Sequence, residues 1–555
     1  VRALVFPELS VTGYTCADLF GQNLLLRQAE AALGEILRAT RACDVLCAVG
    51  MPIPADNQLF NCAVVFHRGA VLAAVPKTFI PNYSEFYEKR WFASATERKS
   101  GTVRLLGTEV PFGENVLFRL EETGVTLAVE ICEDLWMPIP PSSRHALAGA
   151  SLILNLSASN DLVTKSDYRR ALVAQQSARC IAGYAFASAG LGESTTDLVF
   201  GGHSLIAENG RILAETAFDT TSRLIYADID GEKLLSDRRR VNSFMENALA
   251  EGYRIVDVPF GPERDVEPAF EVDPYPFIPR DREKKFSRCR EIFRIQWSGL
   301  AERMRKIGVQ RAVVGISGGL DSTLALLVAV EAAKALGLPS DAVVGVTMPG
   351  MGTTGRTYRN ALTLMRELGV TIREVSIREA TLQHFKDIGH DPEKLDVTYE
   401  NAQARERTQI LMDIANQMGG IVVGTGDLSE LALGWCTYNG DHMSHYGVNA
   451  GVPKSLVRHL ISWYAETTDN EKVRDALLDV LDTPISPELL PADESGNIAQ
   501  KTEDLVGPYE LHDFFLFHTL RNGFAPKKVL MLARQAFGGQ YETKEIYHWL
   551  ETFYR

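Results

Sequence analysis

Several features that would point to particular protein classes are missing from this sequence of 555 residues. It has no run of eighteen or more apolar residues, which argues against a membrane-spanning helix. The 57 lysines and arginines are outnumbered by 71 aspartates and glutamates, and the formal charge of −14 argues against a nucleic-acid groove as the main function. A basic and then apolar leader with a cleavage site is not recognisable, so we expect a cytoplasmic protein.

Cysteine is also sparse, with eight scattered residues, of which only Cys43 and Cys47 lie close together. One C-x3-C pair without a second pair or nearby histidines is a weak zinc motif. We therefore expect these two residues to be buried thiols in a strand.

The apolar pattern predicts two α/β domains. Short strand-like runs such as Val125–Ile131, Ser151–Leu156 and Leu224–Ala227 alternate with helical stretches in the first half. A charge run and six prolines between 259 and 279 then predict a connector, because proline fixes φ and has no amide donor. Amphipathic helices separate the strands of the second half, which predicts a parallel sheet with right-handed crossovers. The predicted parts are residues 1–235, 236–284 and 285–555.

The segment Ile316–Thr323 (ISGGLDST) lies between a predicted strand and a predicted helix. Glycines there allow the backbone to approach a ligand closely, and the amides at the helix start favour an anion. The segment is not a Walker A loop, because the required lysine is absent. It resembles the pyrophosphate loop of ATP pyrophosphatases, which split ATP into AMP and pyrophosphate.

A second group of motifs narrows the resemblance. These segments are Val423–Glu430 (VGTGDLSE), Gly434–Tyr438 (GWCTY), Gly440–Met443 (GDHM) and Pro453–Lys454. Together they resemble the NAD synthetase family. The resemblance implies ATP as a substrate and Mg²⁺ held by Asp321 and Glu430, since a hard cation suits carboxylate oxygens.

The same resemblance assigns the remaining residues of the second domain. The implied ATP-binding residues are Gly315, Ile316, Ser317, Gly318, Gly319, Leu320, Asp321, Ser322, Thr323, Thr425 and Lys454. The implied deamido-NAD-binding residues are Asn401, Arg405, Glu430, Trp435, Cys436, Thr437, Tyr438 and Asp441. For Asn401 and Arg405, which share one face of a predicted helix, the alternative is a solvated charged face. For Lys454 the alternative is a lysine without a catalytic role.

Three segments of the first domain indicate a different chemistry. Val5–Leu9, Val75–Thr78 and Val129–Trp136 resemble, in that order, the Glu–Lys–Cys triad of the nitrilase superfamily. The resemblance implies a nucleophile at Cys132, a proton acceptor at Glu8 and an oxyanion-stabilising ammonium at Lys77. Each residue alone is more often structural; only their joint order and flanks favour catalysis. The resemblance further implies a catalytic glutamate and three glutamine-binding residues, which are Glu88, Tyr83, Ser159 and Lys165.

The combination resembles the glutamine-dependent NAD synthetases over nearly the whole chain. It implies a nitrilase-like α-β-β-α sandwich followed by a Rossmann-like ATP pyrophosphatase domain, and a carbon–nitrogen ligase that amidates deamido-NAD with ammonia from glutamine. It also implies a homo-oligomer and sheltered passage of the ammonia. Because the family's amidase domain normally begins before the strand at Val1, and a basic segment usually follows the last helix, we expect a part of a longer chain. The alternatives are an amidase with an inactive second domain and a catalytically dead scaffold.

Overall fold

The computed structural model describes residues 2–121, 123–193, 198–218, 224–247, 252–261, 268–353, 355–484, 489–490 and 502–555. The chain forms two compact units, residues 1–270 and 271–555. Among the described residues, no helix combines the length and apolar character that crossing a membrane requires.

The first unit is rich in strands. They are β1 (Ala3–Val5), β2 (Leu46–Ala55), β3 (Gln58–His67), β4 (Ala70–Pro76), β5 (Asn82–Tyr83), β6 (Phe86–Tyr87), β7 (Thr102–Leu105), β8 (Thr108–Pro111), β9 (Val116–Leu120), β10 (Thr126–Ile131), β11 (Leu152–Ser157), β12 (Gly183–Ser188), β13 (Leu205–Glu208), β14 (Arg211–Glu215) and β15 (Arg254–Val258). The α-helices are α1 (Asn23–Ala39), α2 (Pro141–Leu147), α3 (Lys165–Cys180) and α4 (Gly231–Arg240). Short 3₁₀ helices include Glu88–Arg90 and Cys132–Trp136.

Two sheets of the first unit pack face to face. One has the order β1-β2-β3-β4 and the other the order β14-β13-β12-β11-β10-β9-β15. Apolar residues of both sheets, such as Val65 and Val129, share one buried cluster. Helix α1 covers the outer face of the first sheet through Leu33, and α3 covers the outer face of the second through Val173. This is the α-β-β-α sandwich that the sequence predicts, and β10, which is covered on both faces, has five of its six residues buried.

The second unit contains one parallel sheet and many helices. Its strands are β16 (Ala312–Gly315), β17 (Val343–Thr347), β18 (Thr371–Glu374), β19 (Ile421–Gly424) and β20 (Tyr446–Gly447). Its α-helices are α5 (Arg282–Ile307), α6 (Leu320–Ala335), α7 (Gly355–Glu367), α8 (Arg378–Ile388), α9 (Val397–Met418), α10 (Leu428–Leu433), α11 (Lys454–Thr467), α12 (Glu471–Leu481), α13 (Thr502–Val506), α14 (Tyr509–Leu516), α15 (Pro526–Phe537) and α16 (Thr543–Tyr554).

The strand order of this sheet is β18-β17-β16-β19-β20, with every pair parallel. The order reverses between β16 and β19, and ligands of open α/β sheets bind at the carboxyl ends of strands at such a switch point. Helix α6 follows β16 and is apolar around its circumference, with twelve of its sixteen residues buried. It packs between the sheet, α5 and α11, so the sequence expectation of a Rossmann-like parallel-sheet domain is confirmed.

Some local expectations are wrong. Leu224–Ala227 is not a strand. The range predicted as a connector contains β15, which pairs in parallel with β9 at the edge of the seven-stranded sheet. Cys47 is buried in β2 as expected, whereas Cys43 is exposed and precedes the strand. The domain boundaries at 235 and 285 stay a prediction. The structure itself divides into compact units after Phe270.

Candidate active sites

The residues of the predicted triad all lie just beyond strand ends of the first unit. Glu8 follows β1, Lys77 directly follows β4, and Cys132 directly follows β10. The two sheets that carry these strands share a core, so side chains far apart in sequence converge.

Lys77 lies between two carboxylates in a fully enclosed cluster. Its Nζ atom is 2.6 Å from Oε1 of Glu8 and 2.9 Å from both carboxylate oxygens of Glu88. The side chains of Lys77 and Glu8 are 0% exposed. Glu8 also accepts hydrogen bonds from Asn61 Nδ2 at 2.7 Å and from the amide of Ala158 at 3.0 Å. The donors fix both oxygens of Glu8.

The cluster holds two acidic groups and one ammonium. Burial tends to lower the pKa of Lys77, but the charges of Glu8 and Glu88 hold it well above its ordinary value. Burial raises the pKa of Glu88 to about 7, against the lowering effect of Lys77. The hydroxyl of Tyr14 donates to Glu88 Oε1 at 2.8 Å. Near neutral pH, therefore, Lys77 stays charged while Glu88 can hold a proton.

Cys132 occupies an unusual backbone conformation at the start of the 3₁₀ helix. Its φ of 43° lies in the left-handed region, which is disfavoured for residues other than glycine and is often found at functional sites. The amide of Cys132 donates to Oδ1 of Asn155 at 3.2 Å. Burial and then the charge of Glu8 raise the pKa of the Cys132 thiol, while Lys77 lowers it. The resting side chain is a thiol that needs a base for activation.

Two of the predicted glutamine-binding residues have separate polar partners. The hydroxyl of Tyr83, whose side chain is about half exposed, donates to Oε1 of Glu133 at 2.9 Å. Ser159 is buried and accepts from Nη2 of Arg169 at 3.1 Å. Glu133 follows Cys132 directly in sequence, so this carboxylate and Tyr83 lie beside the candidate nucleophile.

Lys165, the third predicted glutamine-binding residue, contacts the neighbourhood of Ser159 through Asn160. Its Nζ donates to Asn160 Oδ1 at 2.5 Å, and Asn160 Nδ2 donates to Oε1 of Glu85 at 2.8 Å. The ammonium lies 5.4 Å from the ring centroid of Trp136 and 5.7 Å from that of Phe86. Burial lowers the pKa of Lys165.

In the second unit, the loop after β16 has the geometry of an anion site. Gly318 has a φ of 87°, and a Cβ atom there would lie 2.1 Å from the carbonyl oxygen of Thr357, so only glycine fits. Helix α6 begins after Gly319 without a side-chain cap, which leaves first-turn amides for a ligand. Ser317 Oγ lies 3.1 Å from Ser322 Oγ and accepts from the amide of Gly319 at 3.2 Å.

Lys454 is enclosed by three carboxylates near this loop. Its Nζ lies 2.7 Å from Oδ2 of Asp321, 2.6 Å from Oδ2 of Asp427 and 2.8 Å from Oε1 of Glu430. Burial raises the pKa of Asp427 to about 8 and that of Glu430 to about 7. Burial acts to lower the pKa of Lys454, but the three carboxylates raise it well above its ordinary value.

The donor set of this cluster fits a divalent cation. Carboxylate oxygens of Asp321, Asp427 and Glu430 lie within 4.8 Å of one another. Within the described part of the chain, the buried Oδ1 atom of Asp321 has no hydrogen-bond partner. Mg²⁺ binds to oxygen ligands such as carboxylates, and the Oδ1 atom of Asp321 is an acceptor available to such an ion. The cluster contains both residues predicted to hold Mg²⁺, and it adds Asp427.

Residues predicted to bind the dinucleotide lie along α9 and the segment after α10. Thr437 is held at both ends, because its hydroxyl donates to Oδ1 of Asn401 at 2.8 Å and its amide donates to Oδ1 of Asp441 at 2.6 Å. Arg405 Nε donates to the carbonyl of Tyr438 at 3.2 Å. The ring of Tyr438 is 81% exposed and lies over His442. These contacts connect Asn401 and Arg405 to the Gly434–Tyr438 motif.

Three further predicted residues of the second unit differ in exposure. Trp435 is half-buried two residues after the end of α10, Cys436 is exposed, and Thr425 is half-buried directly after β19. The carbonyl oxygens of Thr425 and Asp321 both accept from Nδ2 of the buried Asn449 at 3.0 Å. Asn449 thus ties the two loops that flank the switch point.

Several residues of these sites were missed in the sequence. In the first unit they are Tyr14, Asn61, Glu133, Asn155 and Arg169, and in the second they are Asp427 and Asn449. Glu133 and Asp427 stand inside the quoted motifs, one directly after Cys132 and the other three residues before Glu430, so these acidic side chains were an available signal. The others lie outside the motifs, and nothing in their local sequence marks them.

Comparison with known proteins gives two family models and full-length relatives. The model described as carbon-nitrogen hydrolase matches residues 1–239, and the model described as NAD synthase matches residues 293–474. The chain is 44% identical over 581 residues to the glutamine-dependent NAD(+) synthetase of Mycobacterium tuberculosis, covering 99% of this chain and 85% of that protein. It is 42% identical over 583 residues to that of Mycobacterium leprae, with 100% and 85% covered.

A solved structure, the glutamine-dependent NAD(+) synthetase from Cytophaga hutchinsonii, is similar at 22% identity with a TM-score of 0.38, covering 100% of this chain and 86% of that one. The full-length identity to the mycobacterial proteins is decisive. The chain belongs to the family of glutamine-dependent NAD(+) synthetases.

Proposed function

We propose that the chain hydrolyses glutamine in its first unit and uses the ammonia in its second unit to convert deamido-NAD and ATP into NAD, AMP and pyrophosphate. One observation carries the proposal: a buried lysine between carboxylates occurs both beside Cys132 and beside the loop after β16. Each cluster lies in the part of the chain that its own family model matches.

In the first unit, Glu8 takes the proton of Cys132 and the thiolate attacks the side-chain carbonyl carbon of glutamine. The ammonium of Lys77 stabilises the negative charge that develops on the oxygen. Glu8 then gives the proton to the leaving nitrogen, so ammonia departs and a thioester remains. Water, deprotonated by Glu8, hydrolyses the thioester to glutamate and restores the thiol.

Glu88 and the polar residues around Cys132 orient the reactants. Glu88 holds the Lys77 ammonium through both oxygens, so the lysine stays charged and aimed. Tyr83, Ser159 and Lys165 bind the glutamine, with Lys165 as the cation for its α-carboxylate.

In the second unit, the residues from Gly315 to Thr323, with Thr425, bind the phosphates of ATP. Mg²⁺, held by Asp321 and Glu430, would neutralise phosphate charge when it is bound. The nicotinate carboxylate attacks the α-phosphorus, so pyrophosphate leaves and an adenylate forms. Lys454 neutralises the leaving pyrophosphate. Ammonia then attacks the activated carboxyl carbon and displaces AMP.

The dinucleotide contacts follow from the second set of motifs. Asn401, Arg405 and the segment from Trp435 to Asp441, Cys436 included, bind deamido-NAD. We also propose domains at residues 1–235 and 285–555, joined by the segment between them. The homo-oligomer, the sheltered passage of ammonia and the cytoplasmic location stay predictions.

The test is NAD formation from deamido-NAD, ATP and Mg²⁺ with either glutamine or ammonium. Cys132→Ala should abolish synthesis from glutamine and leave synthesis from ammonium intact. Asp321→Asn should abolish synthesis from both nitrogen sources and leave glutamine hydrolysis intact. Cys47→Ala, which removes a buried thiol of β2, is the matched control and should retain both activities.

Two outcomes would overturn the proposal. If Cys132→Ala still uses glutamine, the nucleophile is a different residue. If wild-type protein forms no NAD from either nitrogen source, the synthetase function is wrong.

A further inference from the structure

Helix α11 begins with the lysine of the charge cluster and lacks a cap of its own. Pro453 occupies the N-cap position, where a proline side chain cannot accept a hydrogen bond, and none is made. The first two amides bond to side chains of other helices. Lys454 N donates to Oγ of Ser429 at 2.9 Å, and Ser455 N donates to Oδ2 of Asp513 at 2.8 Å. Asp513, on α14, therefore supplies the cap that Pro453 cannot.

Asp513 also reaches the neighbouring helix. Its Oδ1 accepts a hydrogen bond from the hydroxyl of Ser429, which lies in the first turn of α10. That turn carries Glu430, and Asp427 is its N-cap in a reciprocal capping box. One carboxylate thus links the beginnings of the two helices that bring Lys454, Asp427 and Glu430 together.

The apolar surroundings of Asp513 make the burial of its carboxylate unfavourable in free energy. Asp513 is 2% exposed, and its neighbours Phe514 and Phe515 are 0% exposed within an apolar cluster. An ionised group in such a place is stabilised only if donors satisfy it. The hydroxyl of Ser429 donates to one oxygen of Asp513 and the amide of Ser455 donates to the other, so both oxygens are satisfied.

We propose that Asp513 is a positioning residue for the synthetase reaction, acting through Lys454. It rests on the proposed function, in which Lys454 neutralises the leaving pyrophosphate. Asp513 is not a member of the three-carboxylate cluster around the ammonium. Its effect is to hold the first turn of α11 at the distance at which Lys454 meets Asp321.

The experiment is a double-mutant cycle on ammonium-driven NAD synthesis. Asp513→Asn should lower kcat by about 10- to 100-fold, because misplacing a charged group by about an ångström has effects of that size. KM for deamido-NAD should stay near the wild-type value. In a Lys454→Ala background, the same substitution should change the residual rate by less than about twofold, since the residue through which it acts is gone.

A second-site substitution separates positioning from loss of folding. Pro453→Ser places an acceptor at the N-cap of α11, whose backbone is already extended there at φ −69° and ψ 155°. Combined with Asp513→Asn, it should recover part of the lost rate. Asn470→Ala removes a comparable cap from α12, away from Lys454, and should leave the rate near wild type.

The outcomes are distinct. The inference is overturned if Asp513→Asn has the wild-type rate, or if the substitution costs the same factor with and without Lys454. In either case, wild-type synthesis from ammonium still upholds the proposed function. Absence of wild-type synthesis removes the proposed function and the inference with it. If Asp513→Asn does not fold, Ser429→Ala breaks the same link and leaves the carboxylate in place. Its loss of rate must then vanish in the Lys454→Ala background.

Discussion

Replacing Lys77 by methionine tests the charge balance of the first site. The substitution keeps an apolar stem of similar length but removes the ammonium between Glu8 and Glu88, both of which are almost fully buried. Breaking a buried ion pair on one side typically costs about 3–5 kcal/mol, because the remaining charge stays buried without compensation. We expect a loss of that size for the first unit, and complete loss of glutamine-driven synthesis.

The loss should depend on pH with a definite sign. Burial already raises the pKa of Glu88 from 4.5 to about 7, and removing the ammonium raises it further. A carboxyl group whose pKa is raised in the folded state adds stability below pH 4.5, and that stability is lost as the pH rises through the folded pKa. The deficit of Lys77→Met should therefore be larger at pH 8 than at pH 5.

Hydrogen exchange followed by mass spectrometry measures this, because peptides from β1 and β4 report the first unit alone. In Lys77→Met, Glu8 and Glu88 are left without the ammonium of Lys77. Adding Glu88→Gln to this variant removes one of these two carboxyl groups. The double variant should regain about 2 kcal/mol at pH 8 and remain inactive with glutamine. A Lys77→Met protein as stable as wild type at pH 8, or a double variant less stable than the single one, would contradict a buried charge imbalance at this site.

Three other predictions concern the remaining features of the sites. Asn155→Leu removes the acceptor for the Cys132 amide and should lower glutamine-driven kcat by about 10-fold or more, with ammonium-driven synthesis unchanged. Gly318→Ala places a Cβ against Thr357, and steady-state kinetics should show KM for ATP raised at least about tenfold, while glutamine hydrolysis persists. Chelation with EDTA should stop NAD synthesis from both nitrogen sources and spare glutamine hydrolysis, and excess Mg²⁺ should restore it; synthesis in the presence of EDTA would contradict a metal at Asp321.

Features of the fold and of the sites that depend on one short segment could be predicted from the sequence. The segment Ile316–Thr323 is part of a strand–turn–helix unit whose glycines and helix start are local, and in the structure it follows β16 directly and contains the first turn of α6. The fold class likewise follows from the alternation of strands and helices. Glu8, Lys77 and Cys132 each follow a strand in the same short segment, so their positions beyond strand ends could also be read from the local sequence.

Contacts between distant segments were not predictable in this way. Asp427 is 27 residues before Lys454, and Asp513 is 84 residues after Ser429, so their meeting depends on how helices pack. The strand expected at Leu224–Ala227 is absent, because an apolar run does not by itself provide a pairing partner. Conversely, β15 lies in the range predicted as a connector, since that prediction rested on the charge run and the prolines on either side of this short strand.

Helix α6 has a consequence for how the second unit tolerates change. Because twelve of its sixteen residues are buried and it packs against the sheet, α5 and α11, it cannot slide without disturbing the core. The loop after β16 is attached directly to its first turn. A substitution deep in the helix, at Ala329 for example, would thus shift the helix as a rigid unit and displace Asp321 in its first turn. The packing of the interior and the position of Asp321 therefore depend on the same helix, and a change in one alters the other.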